Sequence, residues 1–422
     1  MTEQWSKYNF LIELDNNKFL LYNSYTNNLM EVDHDDYKLL LQIKNGDFAN
    51  IPDSFLQELS DNLILVENDD IIFQKIKLNR LHSRFQSNTL LLAITPTMAC
   101  NFACPYCFEG GAKKGDLMSE DTINDIVTLV ESYKNLQSIR IVWYGGEPLL
   151  GFDKMIEITK KIQELPIDNY DAFMITNGYL LDKNKISKLK ELKITKIQIT
   201  IDGLENTHNK RRPHKQNNDS FQKIISNLIE LYKYPEIVTN VRVNLDKNNA
   251  NEFFELSDYL KTIIPQISLY PAYITDYNNT CNSSFCLLDR TEQVNFTIQN
   301  GDKYSFGNLY YPKTSISECS ARITHSYVIG VNGELYKCWC DAGDNDKIVG
   351  NIKDGITNLD LYTKYMCDGD PLYDKNCVEC SYFPICNGGC PYLKIKGGVD
   401  VCTIQKDRLK DFFTLYYNKI DI

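Results

Sequence analysis

Long apolar runs are missing from this chain. None of its 422 residues lies in a stretch approaching the eighteen or more consecutive apolar residues of a membrane span, so no membrane partner is expected. The opening residues MTEQWSKYNF have neither a basic start nor an apolar core, so no secretion signal is expected and the location reads as cytoplasmic. Basic excess is lacking too. Forty-five Lys and Arg stand against 56 Asp and Glu, a net charge of −11 that argues against non-specific nucleic-acid binding. Histidine is scarce: the five present form no pair at metal-binding spacing. Repeats and low-complexity tracts are absent, so the whole chain is expected to fold, with length for two or three domains.

Cysteine, by contrast, is plentiful. Fourteen thiols in a reducing compartment point to metal ligation rather than disulfides. Pattern divides the chain into residues 1–85, 86–310 and 311–422. In the first part, YNFLIEL (8–14) and KFLLYNS (18–24) alternate apolar and polar residues around an Asp-Asn-Asn turn and predict a hairpin. LMEV adds a strand, DHDDYKLLLQIKNG a helix opened by acidic residues and closed by Gly46, SFLQELSDN a second helix, and LILVEND a returning strand. The result is a small winged-helix-like α+β module. With eight Lys and Arg against fourteen Asp and Glu, it makes a poor DNA-binding wing.

The middle part alternates six β-rich runs (TLLLAIT, IRIVWYG, AFMITNG, KIQITID, NVRVNL and ISLYPAY) with segments of helical period. Six βα repeats predict an α/β fold, a parallel sheet curled into a partial (β/α)6 TIM-type barrel. Chemistry in such folds sits at the C-terminal ends of the strands. TMACNFACPYC follows the first run, WYGGEP the second, TNG the third and DG the fourth, so four unusual sequences share one rim.

The triplet Cys100, Cys104 and Cys107 ends without a fourth thiol, whereas a structural zinc site closes its shell with four ligands. Either a distant cysteine completes a zinc knuckle, or three thiolates hold three irons of a 4Fe-4S cube and leave the fourth open. Cys-x3-Cys-x2-Cys after a first strand, with Tyr106 before the last Cys, resembles the radical S-adenosylmethionine (SAM) superfamily. That resemblance implies that SAM chelates the open iron and is cleaved by one electron to methionine and a 5'-deoxyadenosyl radical, which takes a hydrogen from the substrate. It also implies an electron donor such as flavodoxin or ferredoxin. Gly145, Gly146 and Glu147 of GGEP match the motif that holds the methionyl amine: the glycines allow close backbone approach, and Glu147 offers a carboxylate to an ammonium group. Asn177, Thr200, Asp202, Arg242 and Asn244 lie at or near strand ends where related enzymes contact the ribose or carboxylate of SAM. DGLENTHNKRRP (202–213) resembles a loop of peptide-modifying members, with His208 and Arg211 in structural roles.

The last part carries Cys319, then Gly333 after thirteen intervening residues and Cys338 after four more, then Cys377-x2-Cys380-x5-Cys386-x3-Cys390 and Cys402. This order resembles the SPASM extension of radical SAM enzymes that modify peptides and proteins. The resemblance implies two auxiliary 4Fe-4S clusters, three clusters in all: Cys377, Cys380, Cys386 and Cys402 on the outer one, Cys319, Cys338 and Cys390 on the inner. The extra Cys that some members place before the first is absent, position 313 being Lys, so the fourth inner ligand is open among Cys340, Cys281, Cys286 and a substrate thiolate. Free Cys is usually a small buried hydrophobe, the default for these three and for Cys367. Within this frame residues 1–85 resemble the RRE-like elements that bind leader peptides of ribosomally made natural products. The implied function is a precursor-peptide maturase that forms a thioether or carbon-carbon crosslink. The alternative is an anaerobic sulfatase-maturating enzyme that makes formylglycine.

Overall fold

The structure, a computed structural model, describes residues 3–15, 18–109, 115–217, 219–275, 289–301, 311–315, 318–397 and 400–420. The Asp-Asn-Asn turn, Cys281 and Cys286 lie outside the described residues, the turn in its two asparagines. The chain forms two compact units: Gln86–Asp289 with Ser320–Met366, and Met1–Phe85 with Arg290–Cys319 and Cys367–Ile422. Residues 311–422, read from sequence as one extension, are thus divided between the two.

The first of these units is built on six parallel strands in sequential order: Thr89–Ile94, Ser138–Trp143, Asn169–Thr176, Ile194–Thr200, Val238–Leu245 and Ser268–Tyr273. Each falls on one of the six β-rich runs. Alternate residues make one fully buried face, including Leu90, Leu92 and Ile94 on the first strand and Ile139, Ile141 and Trp143 on the second. Their neighbours Val142, Ile175, Gln198, Arg242 and Asn244 are only half-buried, so the opposite face is partly open, unlike a flat parallel sheet covered on both sides. Helices between strands start where the sequence offers caps: the Ser119 hydroxyl accepts the Thr122 N–H before Glu120–Glu131, and Asp182 accepts the Lys185 N–H before Lys183–Lys188.

A seventh strand comes from beyond the barrel sequence. Ser326–Ile329 pairs in parallel with the first strand, from Ser326 opposite Leu91 to Ile329 opposite Ile94, and turns back antiparallel into Glu334–Tyr336. Val328, Tyr336 and Ala342 bury against Ala93 and Tyr144, with Val142 and Ile175 packed alongside. This hairpin therefore covers part of the open face beside the first strand.

In the other unit, Asn9–Glu13, Phe19–Asn23 and Asn28–Val32 form an antiparallel meander, followed by helices His34–Lys44 and Asp53–Asp61. Asp33 caps the first helix by accepting from the Asp35 and Asp36 amides, and Gly46 ends it at φ +82°. The returning strand is short: Leu65–Val66 pairs with Gln4–Trp5 as a separate two-stranded piece and leaves the meander with three strands. A long helix, Asp69–Phe85, follows; its apolar residues Ile72, Phe73 and Ile76 share a core with Tyr8, Leu372 and Phe383.

On the same helix Arg80 and Arg84 are almost wholly buried. Arg80 Nε donates to Glu318 Oε1 at 2.5 Å, Arg84 Nη2 lies 3.3 Å from Glu318 Oε2, and Arg84 Nη1 donates to Asp370 Oδ2 at 2.7 Å. Two cations and two anions from three chain segments balance one another, and the acidic partners hold Arg84 above its ordinary pKa against the opposing effect of burial. Removing one member of a buried pair strands the other, whereas removing both does not. Glu318→Gln is therefore expected to destabilise this unit by about 3–5 kcal/mol in urea unfolding, and Arg80→Met/Glu318→Leu by clearly less. Equal losses for the two proteins would show that the pairing is not what matters.

Candidate active site

The cysteine loop leaves the first parallel strand at Ile94, and Cys100, Cys104 and Cys107 are all half-buried in it. Two buried rings fix the loop. Phe102 stands edge-on to Tyr179 at 5.8 Å and to His214 at 5.9 Å, with the Arg212 guanidinium 5.7 Å from its ring. Around it the Ala103 N–H donates to the Pro213 carbonyl at 3.0 Å and the Lys215 N–H to that of Asn101 at 2.9 Å. Tyr106 is the second anchor. Its hydroxyl donates to Asp202 and accepts from Arg212 Nη1 at 2.6 Å and Asn244 Nδ2 at 3.3 Å. Burial pushes this phenol far above its usual pKa, so it remains a donor. Asp202 also accepts from the Asn244 N–H at 3.1 Å and lies 3.7 Å from Arg211 Nε.

GGEP packs against the start of this loop. A Cβ on Gly146 would lie 2.3 Å from the carbonyl oxygens of Met98 and Ala99, and Gly145 sits at φ +107° with Thr97 O 2.8 Å from where its Cβ would be. The glycines therefore serve first to bring two backbones together. Glu147 is wholly buried: Oε1 accepts from Thr176 Oγ1 at 2.7 Å and the Leu149 N–H at 3.1 Å, and Oε2 from the Asn177 N–H at 2.8 Å. Burial raises its pKa while these donors lower it. Through these bonds Glu147 ties the second strand's loop to the third.

Other rim residues follow the same pattern. Asn177 Nδ2 donates to Asn101 Oδ1 at 2.7 Å, joining the third loop to the cysteine loop. Thr200 is buried and in register with Arg242, which is half-buried and donates from Nε to Asn244 Oδ1 at 2.8 Å. His208 is wholly buried, its Nδ1 accepting the Asp202 N–H at 3.2 Å, and burial with Arg211 and Arg212 nearby keeps it neutral. Arg211 donates to Asp246 at 2.6 Å. Sequence reading missed Arg212, Phe102 and Thr176. Arg212 stood in the quoted KRRP, but nothing there marked it as the partner of Tyr106.

Among the auxiliary cysteines, Cys377, Cys380, Cys386 and Cys402 belong to one unit and are half-buried. The Thr403 N–H donates to Cys386 Sγ at 3.3 Å, Lys394 Nζ to Cys377 Sγ at 3.5 Å and Lys406 Nζ to Cys402 Sγ at 3.7 Å. Cys319 and Cys390 share that unit, while Cys338 and its hydrogen-bonded neighbour Cys340 are in the other. Cys367, expected as a buried hydrophobe, is exposed, as is Cys319.

Among the described residues no three His, Cys, Asp or Glu converge as ligands of a single metal ion would. Separated thiols on one loop suit a cube, whose irons sit at different corners. The surroundings also suit thiolate: the Phe102 N–H donates to Cys100 Sγ at 3.4 Å, and the Arg212 cation is within electrostatic reach of Cys104. The triplet therefore fits a three-thiolate 4Fe-4S site.

Among the described residues no helix is long and apolar enough to cross a membrane. Comparison with known proteins agrees with the geometry. The profile of the Radical SAM superfamily matches residues 94–260. A probable GTP 3',8-cyclase of Methanococcus maripaludis is 32% identical over 67% of this chain and 94% of its own length. The radical SAM cyclopropyl synthase TigE of Paramaledivibacter caminithermalis is 23% identical over 91% of this chain and 89% of its own. The fold resembles anSMEcpe solved with bound AdoMet and Cp18Cys peptide (TM-score 0.61, 21% identity, 79% of this chain, 98% of that one). It also resembles Streptococcus suis SuiB bound to precursor peptide SuiA (TM-score 0.52, 18% identity, 94% of this chain, 97% of that one). With its three-cysteine loop, its GGEP turn and these relatives, the chain belongs to the radical SAM superfamily and is an enzyme.

Proposed function

We propose that this enzyme is a maturase that crosslinks a ribosomally made precursor peptide, joining carbon to sulfur or carbon to carbon. The observation that carries the reading is coverage. The likeness to SuiB, solved with its precursor peptide, runs over 94% of the chain, while the sulfatase-type likeness reaches 79%. The TM-score is higher over the shorter match, 0.61 against 0.52, which keeps formylglycine formation as the second reading. TigE, a cyclopropyl synthase, lends support to a carbon-carbon product.

In this reading residues 1–85 are an RRE-like leader-binding module, 86–310 the catalytic barrel and 311–422 a SPASM extension. Cys100, Cys104 and Cys107 hold the SAM-bearing cluster; Cys377, Cys380, Cys386 and Cys402 the outer auxiliary cluster; and Cys319, Cys338 and Cys390 three corners of the inner one. When bound, these groups supply the electron that makes a 5'-deoxyadenosyl radical from SAM and a sink for the electron left over when the crosslink forms. The protein's own residues orient and enclose. Tyr106, Asp202 and Arg212 hold the cysteine loop against the fourth strand's loop, Glu147 fixes the GGEP turn, and Asn177, Thr200, Arg242 and Asn244 offer polar contact to SAM. A flavodoxin or ferredoxin donates the first electron. The leader adds to the meander at Asn28–Val32, an edge strand in the observed order, with backbone bonds supplying affinity and side-chain pockets specificity.

Cys100→Ala, Cys104→Ala and Cys107→Ala are each expected to abolish 5'-deoxyadenosine formation. Anaerobically reconstituted wild type should hold about twelve irons per chain and each variant about four fewer, from the four-iron content of each cube. Undiminished SAM cleavage by any of the three would sink the assignment.

Leader binding calls for a gentler test than removing residues 1–85, because Arg80 and Arg84 are built into the core of their unit. Synthetic leader should protect amides of Asn28–Val32 from hydrogen exchange and compete with full-length precursor. Since amides alternate in direction along a strand, one of Met30→Pro and Glu31→Pro removes an outward donor. That variant should bind leader at least about tenfold more weakly, the 1.4 kcal/mol of one lost hydrogen bond, while SAM cleavage without peptide stays unchanged. Protection elsewhere, with neither proline affecting affinity, would refute strand addition at this edge.

A further inference from the structure

The mechanism so far gives no role to two lysines that point at sulfur. Lys394, on helix Pro391–Lys396, places Nζ 3.5 Å from Cys377 Sγ and 2.7 Å from Asp374 Oδ2. Lys406 places Nζ 3.7 Å from Cys402 Sγ and is within electrostatic reach of Cys380. Cys377 is likewise within reach of Cys386, which accepts the Thr403 N–H. Each of the four thiols thus has a cation or an N–H donor beside it or beside a sulfur it faces. All of these residues belong to one compact unit.

A lysine beside an ordinary cysteine has little reason to be there, because a neutral thiol is a weak acceptor. A thiolate is different. Four thiolates around a 4Fe-4S core leave a net negative group that becomes one charge more negative on reduction, and a nearby ammonium favours the more negative state. Hydrogen bonds to the sulfurs and local charge are the levers by which a protein sets the potential of such a cluster. Asp374 keeps Lys394 directed and offsets part of its charge, and Asp407 lies within electrostatic reach of Lys406.

We propose that Lys394 and Lys406 are the charge-compensating partners of the Cys377, Cys380, Cys386 and Cys402 set, raising the reduction potential of the cluster it holds so that it accepts an electron readily. The inference rests on the reading of these four cysteines as cluster ligands. It makes the lysines positioning and tuning residues, not catalytic ones.

The test is an EPR-monitored redox titration of the reconstituted full chain in a Cys100→Ala/Cys104→Ala/Cys107→Ala background, which removes the SAM-bearing cluster. The signal lost on adding Cys377→Ala is that of the outer cluster. Lys406→Met should lower its midpoint so that the reduced-to-oxidised ratio at a fixed poise falls about tenfold, about 59 mV for a one-electron couple. Lys394→Met should act in the same direction. Lys406→Arg, which keeps the charge, should restore the wild-type midpoint. Iron content should be unchanged in all of them. An unmoved midpoint in both methionine variants overturns the proposal, and so does loss of iron that arginine fails to restore. If Cys377→Ala removes neither iron nor signal, the reading of the four cysteines fails instead, and that outcome is separate.

Discussion

The Tyr106 hydroxyl, buried between Asp202, Arg212 and Asn244, is the contact on which the candidate active site depends. Its three partners come from the loop after the fourth strand and the end of the fifth, and Tyr106 itself from the loop after the first. An unpaired polar group in such a place costs far more than a paired one contributes, so the arrangement is strongly all-or-none. A cysteine loop without regular secondary structure needs that kind of fastening if three thiols are to present fixed positions. Phe102 fastens the other side through His214 and the backbone of 213–215, so Cys104 lies between two anchors that both lead to the same loop, with Cys100 and Cys107 just outside them.

This constraint alters the meaning of several motif residues. The GGEP glycines make room for the backbone of Met98 and Ala99, and its carboxylate accepts three protein donors. On the open side of the rim Arg242 and Asn244 are half-buried.

In the other unit a different interaction has the same function. Arg80, Arg84, Glu318 and Asp370 join segments far apart in sequence, and Glu318 directly precedes Cys319. Buried ion pairs are weak evidence for stability but well suited to fixing one arrangement among several. Arg80 also lies over the Phe383 ring, 5.4 Å from its centroid and between Cys380 and Cys386 in sequence, so the first 85 residues are part of the frame for the cysteine-rich segment rather than a detachable appendage.

Local pattern determined much of this by itself. Six β-rich runs became six parallel strands because period-two burial needs only nearest neighbours, and the meander followed from alternation around short turns. Cysteine spacing was legible for the same reason: thiols on one loop are close in sequence. What sequence could not supply was every pairing between distant segments. Ser326–Ile329 joins the barrel sheet beside the first strand, Leu65–Val66 leaves the meander to pair with Gln4–Trp5, and Cys367 is exposed where a small hydrophobe was expected. Arg212 and Tyr106 are separated by more than a hundred residues, and Glu318 and Arg80 by more than two hundred. Such partners are chosen by burial, where each buried polar group must find a mate, and burial is set only once the chain has packed.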